Sequence, residues 1–164
     1  VGRWGTRDAA IGLGRQFGDT RVSLEAAAQR TDGFSATNAG APFYFDPDDD
    51  ASRTRSLGLA ATHAFAPGHE LALRLLESRT DAHFDDFGNT DAENALRLGS
   101  RSVELRNRVL EGWQSLLRLA RSTDERRTST AFGGYHFDTE QTHFTWQNDL
   151  AALGGQGAVG LEWR

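Results

Sequence analysis

The sequence predicts an all-β fold: an antiparallel up-and-down meander of about eight strands that forms part of a transmembrane β-barrel. Three observations lead there. Apolar and small or polar residues alternate with period two in many short segments. Tight-turn residues at Gly18, Gly68, Gly112 and Gly155 recur at intervals of roughly 45 residues, each closing one hairpin of strands about ten residues long. Between these hairpins lie polar stretches far longer than an ordinary hairpin connection, all at the end opposite the short turns.

The elements follow in order. From Asp8 to Phe17 the odd positions Ala9, Ile11, Leu13 and Phe17 are apolar, with Arg15 the exception, and Asp8, Ala10, Gly12, Gly14 and Gln16 form the other face. Gly18-Asp19 is a hairpin turn, after which Val22, Leu24, Ala26 and Ala28 oppose Arg21, Ser23, Glu25, Ala27 and Gln29. The third strand, Arg55 to Phe65, sets Leu57, Leu59, Ala61 and Phe65 against Ser56, Gly58, Ala60, Thr62 and Ala64, with His63 on the apolar side. Pro67-Gly68 turns the chain.

Leu71, Leu73 and Leu75 mark a fourth strand, and Val103 with Leu105 a fifth that runs to a turn near Glu111-Gly112. Trp113 to Arg121 gives the sixth, in either register because Leu116 and Leu117 are adjacent. Phe144, Trp146 and Leu150 define the seventh; after Gly154-Gly155, Val159, Leu161 and Trp163 define the eighth. Residues 31–54, 80–99 and 122–140 are expected to be long loops.

Composition narrows the function classes. The chain of 164 residues has no cysteine, so disulfides and thiolate metal sites are ruled out. All 18 basic residues are arginine, and a net charge of −5 without a basic cluster gives no expected partnership with nucleic acid. A mean hydropathy of −0.55 and the lack of a long apolar run exclude a transmembrane helix. A barrel wall is compatible with both, since only alternate residues face lipid. With no methionine and no signal-like start, residues 1–164 are read as one partial barrel domain. Phe17, Phe65 and Trp113, beside the short turns, fit an aromatic girdle; ordinary strand-end aromatics of a soluble sheet are the alternative.

Several segments together resemble the TonB-dependent outer-membrane transporters, and within that family its cobalamin (vitamin B12) branch. They are Gln16 to Val22, Asp48-Asp49-Asp50 followed by Arg55-Ser56-Leu57 through His63-Ala64-Phe65, and Trp146-Gln147-Asn148 leading to Gly157 through Trp163. The resemblance covers nearly the whole chain. It implies residence in the outer membrane of a Gram-negative bacterium, in a barrel of about 22 strands. The expected partners are outer-membrane lipid, cobalamin or a siderophore-like ligand, and TonB through a plug domain that this chain lacks. The role implied is transport, not enzymatic. A complete eight-stranded barrel with a structural or adhesive role is the alternative, and pairing of the first strand with the last distinguishes it.

Two acidic stretches are candidate cation sites, because hard cations take several carboxylate oxygens from flexible loops. The first holds Asp46, Asp48, Asp49 and Asp50; the second holds Asp81, Asp85, Asp86, Asp91 and Glu93. The resemblance implies Ca2+ bound by Asp48, Asp50 and Asp85 with Asp91 or Glu93, and Ser35 stands where that family has a further aspartate. A solvated acidic loop is the other reading. Phe34, Tyr44 and Phe45, with Phe43, are candidate contacts to a large amphipathic ligand, or else pack the loop on its own hairpin. The five histidines form no i, i+4 metal pair, and no catalytic constellation stands out. His136 is expected in a packed loop tip.

Overall fold

The computed structural model describes residues 2–35, 37–41, 43–88, 90–152 and 154–164. Eight strands follow one another: β1 (Arg7–Phe17), β2 (Thr20–Thr31), β3 (Ser52–Ala66), β4 (His69–Asp86), β5 (Thr90–Leu110), β6 (Trp113–Thr130), β7 (Gly133–Ala152) and β8 (Gly155–Trp163). They form one antiparallel sheet in sequence order, so every strand pairs with its neighbours in the chain. The sheet is open. β1 pairs with β2 alone and β8 with β7 alone.

The short-turn rim matches expectation. Gly18-Asp19, Pro67-Gly68 and Glu111-Gly112 each join two strands, and Gly18, Gly68, Gly112 and Gly154 have positive φ. At Gly68 and Gly112 a glycine is required twice over, because an added Cβ would stand 2.7 Å from Arg108 Cβ and 2.5 Å from the Ala151 carbonyl oxygen respectively. Register shifts at Ala64/Ala66 and Arg108/Leu110 place a bulge beside two of these turns. The rim is also tied sideways. The amides of Ala64, Arg108 and Ala151 donate to the carbonyls of Asp19, Gly68 and Gly112 at 2.9, 2.7 and 2.6 Å.

At the other end, two of the three long loops are absent. Residues 80–99 and 122–140 lie mostly in strands; β4–β5 is a tall hairpin that turns beside Phe87-Gly88, and β6–β7 one that turns at residues 131–132. The reason is physical: beyond the apolar band both faces of these hairpins meet polar surroundings, so cross-strand pairing continues without hydrophobic alternation to mark it. His136 accordingly lies within β7, its Nε2 at 2.7 Å from Asp138 Oδ2, and not at a loop tip. A long loop does join β2 to β3.

Register assigns every side chain to a face. Leu13, Leu24, Leu59, Leu75, Leu119, Phe144 and Trp163 fall on one face, together with Val103, Leu105, Trp146 and Leu161. This resolves β6: Leu117 joins the apolar face and Leu116 the other. The opposite face carries Gly12, Glu25, Gly58, Ala72, Arg74, Ser102, Glu104, Arg118 and Thr145. The apolar face therefore crosses all eight strands as one band.

No second layer covers it. Ala72 and Ala92 are the buried apolar side chains among the described residues, whereas Leu13, Leu119 and Val159 are 64%, 55% and 60% exposed. The surface totals 11735 Å², against about 8,000 Å² for a compact monomer of 18.0 kDa. A single-layer sheet with an uncovered apolar face needs an apolar medium or a partner to hold it.

Polar pairs bound the band on the short-turn side. His63 Nδ1 lies 2.8 Å from Thr20 Oγ1, and His69 Nδ1 lies 3.0 Å from Asn107 Oδ1. The indoles of Trp113 and Trp146 donate to Asn148 Oδ1 and Ser115 Oγ at 3.0 and 3.3 Å. His63 thus has a partner, as expected of a histidine on an apolar face. Arg15 lies over the Phe17 ring at 4.9 Å, which accounts for a charge on that face of β1.

Candidate functional site

The loop 32–51 and the tip of the β4–β5 hairpin build one site, because the loop folds onto the hairpin and is fastened at its base and its crest. At the base, Gly33 packs so closely on Asp50 that an added Cβ would stand 2.0 Å from the Asp50 carbonyl oxygen, and Gly33 has φ +78°. The amide of Asp50 donates to the Phe34 carbonyl at 3.4 Å, and the His83 amide to the Ala51 carbonyl at 2.9 Å. At the crest, the Gly88 amide donates to the Phe43 carbonyl at 2.7 Å.

Asp85 is the pin between loop and hairpin. Its Oδ2 receives the Thr37 hydroxyl and, at 3.3 Å, the Thr37 amide. Ser35 Oγ, 3.5 Å from the same oxygen, donates to the Asp46 carbonyl at 2.8 Å. Ser35 therefore ties the loop to itself. Asp85 Oδ1 is buried without a hydrogen-bond partner among the described residues.

The other predicted acids are disposed around this pin. Asp85 and Asp91 stand opposite each other across the hairpin, as do His83 and Glu93. Asp91 Oδ2 lies 3.0 Å from His83 Nδ1. That hydrogen bond, with the negative charges of Asp91, Glu93 and Asp48, raises the His83 pKa against a smaller opposing effect of burial. The Asp48 carboxyl is also raised, first by desolvation and then by Asp46, Asp91, Asp50 and Asp85. The acids thus share one electrostatic neighbourhood. Among the described residues, however, no three of them close into a metal coordination sphere.

The predicted aromatics divide. Phe34 packs on Trp4 with ring centroids 4.8 Å apart. Tyr44 meets Phe87 edge-on at 5.7 Å, Phe43 stacks on Phe87 at 6.0 Å, and Phe132 from the neighbouring hairpin lies 6.0 Å from the same ring. Phe45 is half-buried in the loop. Phe34, Tyr44 and Phe87 remain about half exposed, so the aromatics both fasten the loop and present apolar surface. Thr37, His83, Phe87 and Phe132 were not among the predicted site residues. An aromatic beside a turn glycine, Phe87-Gly88 and Phe132-Gly133, is the one local signal they carry.

No protein-family model matches the chain, and no curated protein sequence does.

Proposed function

We propose that this chain is a wall segment of an outer-membrane transporter of the TonB-dependent kind, with its long hairpins and loop 32–51 forming part of the outward mouth. The observation that carries this reading is the uncovered apolar band, continuous over eight strands and opposed by a face that is mostly small and polar, with Leu76, Leu98 and Leu116 among its exceptions. A barrel wall with lipid outside and a polar lumen inside has that pattern. Both edge strands keep unpaired ladders, which suits a sheet that continues into further strands more than one closed on itself. The short-turn rim then faces the periplasm and the tall hairpins face outward.

The cargo we propose is cobalamin or a comparably large, scarce nutrient such as a siderophore, taken up without chemical change. Phe34, Tyr44, Phe45 and Phe87 supply broad ring surface beside polar anchors, as capture of a large amphipathic ligand requires. Energy would reach the barrel from TonB through a plug outside this chain.

Calcium is proposed for the same mouth. What supports it is a shared acidic neighbourhood: the Asp48 carboxyl is raised by desolvation and then by Asp46, Asp91, Asp50 and Asp85, and Asp85 Oδ1 is buried without a hydrogen-bond partner among the described residues. Asp48, Asp50, Asp85, Asp91 and Glu93 would hold the ion, which would neutralise the cluster and fix loop 32–51 on the hairpin.

Growth of a Gram-negative host lacking its own cobalamin transporter tests the proposal. The full-length protein, inserted in the outer membrane, is expected to restore growth on limiting cobalamin or uptake of a siderophore. Correct insertion with uptake of neither would overturn it.

A further inference from the structure

Above the apolar band, arginines from neighbouring strands face one another directly. The register sets Arg55 opposite Arg79 and Arg79 opposite Arg97, a row of three across β3, β4 and β5 on the apolar face. Arg30 opposes Arg53, and Arg101 opposes Arg121, on the same face. Directly opposed side chains have Cβ atoms about 5 Å apart, and like charges in that position destabilise a sheet.

The carboxylates of this belt pair with some of these arginines and leave others unpaired. Arg79 pairs with Asp81 at 3.2 Å, Arg30 pairs with Asp32, and Arg121 pairs with Glu140. Arg53, Arg55, Arg97 and Arg101 have no carboxylate within ion-pair distance among the described residues, although Glu125 stands opposite Arg97 and Glu77 lies on the same face. Four of these seven arginines, Arg53, Arg55, Arg97 and Arg101, therefore stand without a paired carboxylate among the described residues. Their position is specific too. Leu75 stands opposite Arg101, and Leu57 follows Arg55 on the same face. A depression of about 540 Å³ joins Leu57, Leu59 and Leu75 to Arg97 and Arg101, with Glu77 and Glu125 also in its lining.

We infer that this arginine belt binds the phosphate groups of membrane lipid headgroups, with an acyl chain of the same lipid lying along the leucines of the depression. The inference rests on the barrel-wall reading, which places the belt at the headgroup level of the outward leaflet. Charge complementarity selects the occupant. Guanidinium groups bind phosphate through paired N–H donors, and the apolar floor beside them suits a ligand that is anionic at one end and aliphatic at the other. A soluble anion would use the arginines and leave the leucines uncovered.

The test measures the apparent Kd of a fluorescent bisphosphorylated glycolipid for the full-length protein in neutral-detergent micelles. Folding and insertion into phosphatidylcholine vesicles are checked first by heat-modifiable gel mobility. With each arginine near an anionic headgroup worth about a fivefold change in affinity, R55Q/R79Q/R97Q should bind on the order of 100-fold more weakly than the unmodified protein. R55K/R79K/R97K, which keeps the charge, should stay within about tenfold of it. The dephosphorylated glycolipid should bind the unmodified protein as weakly as the phosphorylated one binds the glutamine variant, and excess inorganic phosphate should not displace the lipid. Equal binding by the glutamine variant, equal binding of the dephosphorylated lipid, or displacement by phosphate would each overturn the inference while leaving the wall reading intact. Failure of the unmodified protein to insert into any vesicle would overturn both.

Discussion

Glu104, 4% exposed on the polar face of β5, accepts a hydrogen bond at Oε1 from the Arg106 Nε–H at 2.7 Å. Arg74 and Arg118, from the strands on either side, lie 3.7 and 3.8 Å from its other oxygen. Three guanidinium groups thus surround one buried carboxylate and offset the cost of its burial. Their outer parts are about half exposed and can return to water, so replacing Glu104 costs less than breaking a fully buried pair. Glu104→Ala is expected to destabilise the protein by about 1–2 kcal/mol. Urea unfolding of the vesicle-inserted protein checks this; an unchanged midpoint would show that the arginines need no acid there.

Thr37→Val removes the hydroxyl held by Asp85 and keeps the side-chain shape. It is expected to weaken the docking of loop 32–51 by about 1 kcal/mol, with the global unfolding midpoint unchanged. Amide hydrogen exchange separates the two, since faster exchange should be confined to the loop and the β4–β5 tip.

Gly33→Ala introduces a Cβ that would meet the Asp50 carbonyl at 2.0 Å, at a backbone φ of +78°. The loop base must open to accept it. Gly154→Ala is the matched control: its φ is +76° and nothing lies within 4 Å of the added atom. The first substitution should cost about 2–3 kcal/mol of loop docking and the second about 1 kcal/mol of local strain. Limited proteolysis at residues 32–51 should respond to the first and not to the second.

Loop docking should weaken as pH rises from mildly acidic to above neutral. His83 is raised by its hydrogen bond to Asp91 and by the charges of Asp91, Glu93 and Asp48, so its contribution is complete below the ordinary imidazole value. It is lost as pH climbs through the raised value. Asp48 is raised by desolvation and by its acidic neighbours, so docking also favours its protonated form and loses that advantage above the ordinary carboxylate range. Proteolysis of the loop across pH 4 to about 9 reads the effect, and His83→Gln should flatten its upper part. Millimolar calcium should restore docking at neutral pH, and D48A/D50A should remove that rescue.

Much of the fold was legible because strand-forming segments near the short turns alternate cleanly. Leu57, Leu59 and Ala61 identify β3 by pattern alone, and Gly68 and Gly112 mark turns that their positive φ requires. The upper halves of β4 to β7 were not legible, because Thr80 to Gly99 and Ser122 to Glu140 lie where both faces are polar and pairing leaves no apolar period. The site shows the same division. Asp85 stands out as one of several acids, but its attachment to Thr37 joins residues 48 apart in sequence and depends on how the loop lies. The arginine row is invisible along the chain, since Arg55, Arg79 and Arg97 become neighbours only through register.

The central claim, that the apolar band faces lipid and the opposite face water, is tested most directly by single cysteines in this segment, which has none of its own, with any cysteine elsewhere in the full-length protein first replaced by serine. Leu59→Cys, Leu73→Cys and Leu119→Cys place thiols on the apolar face, and Ala60→Cys, Ser100→Cys and Ala120→Cys place them on the other. In vesicles holding the full-length protein, the first set should resist a membrane-impermeant maleimide and, once labelled before insertion with a fluorophore, be quenched by lipid-borne spin labels. The second set should react with the maleimide and escape quenching. Equal behaviour of the two sets, or the reverse pattern, would contradict the account.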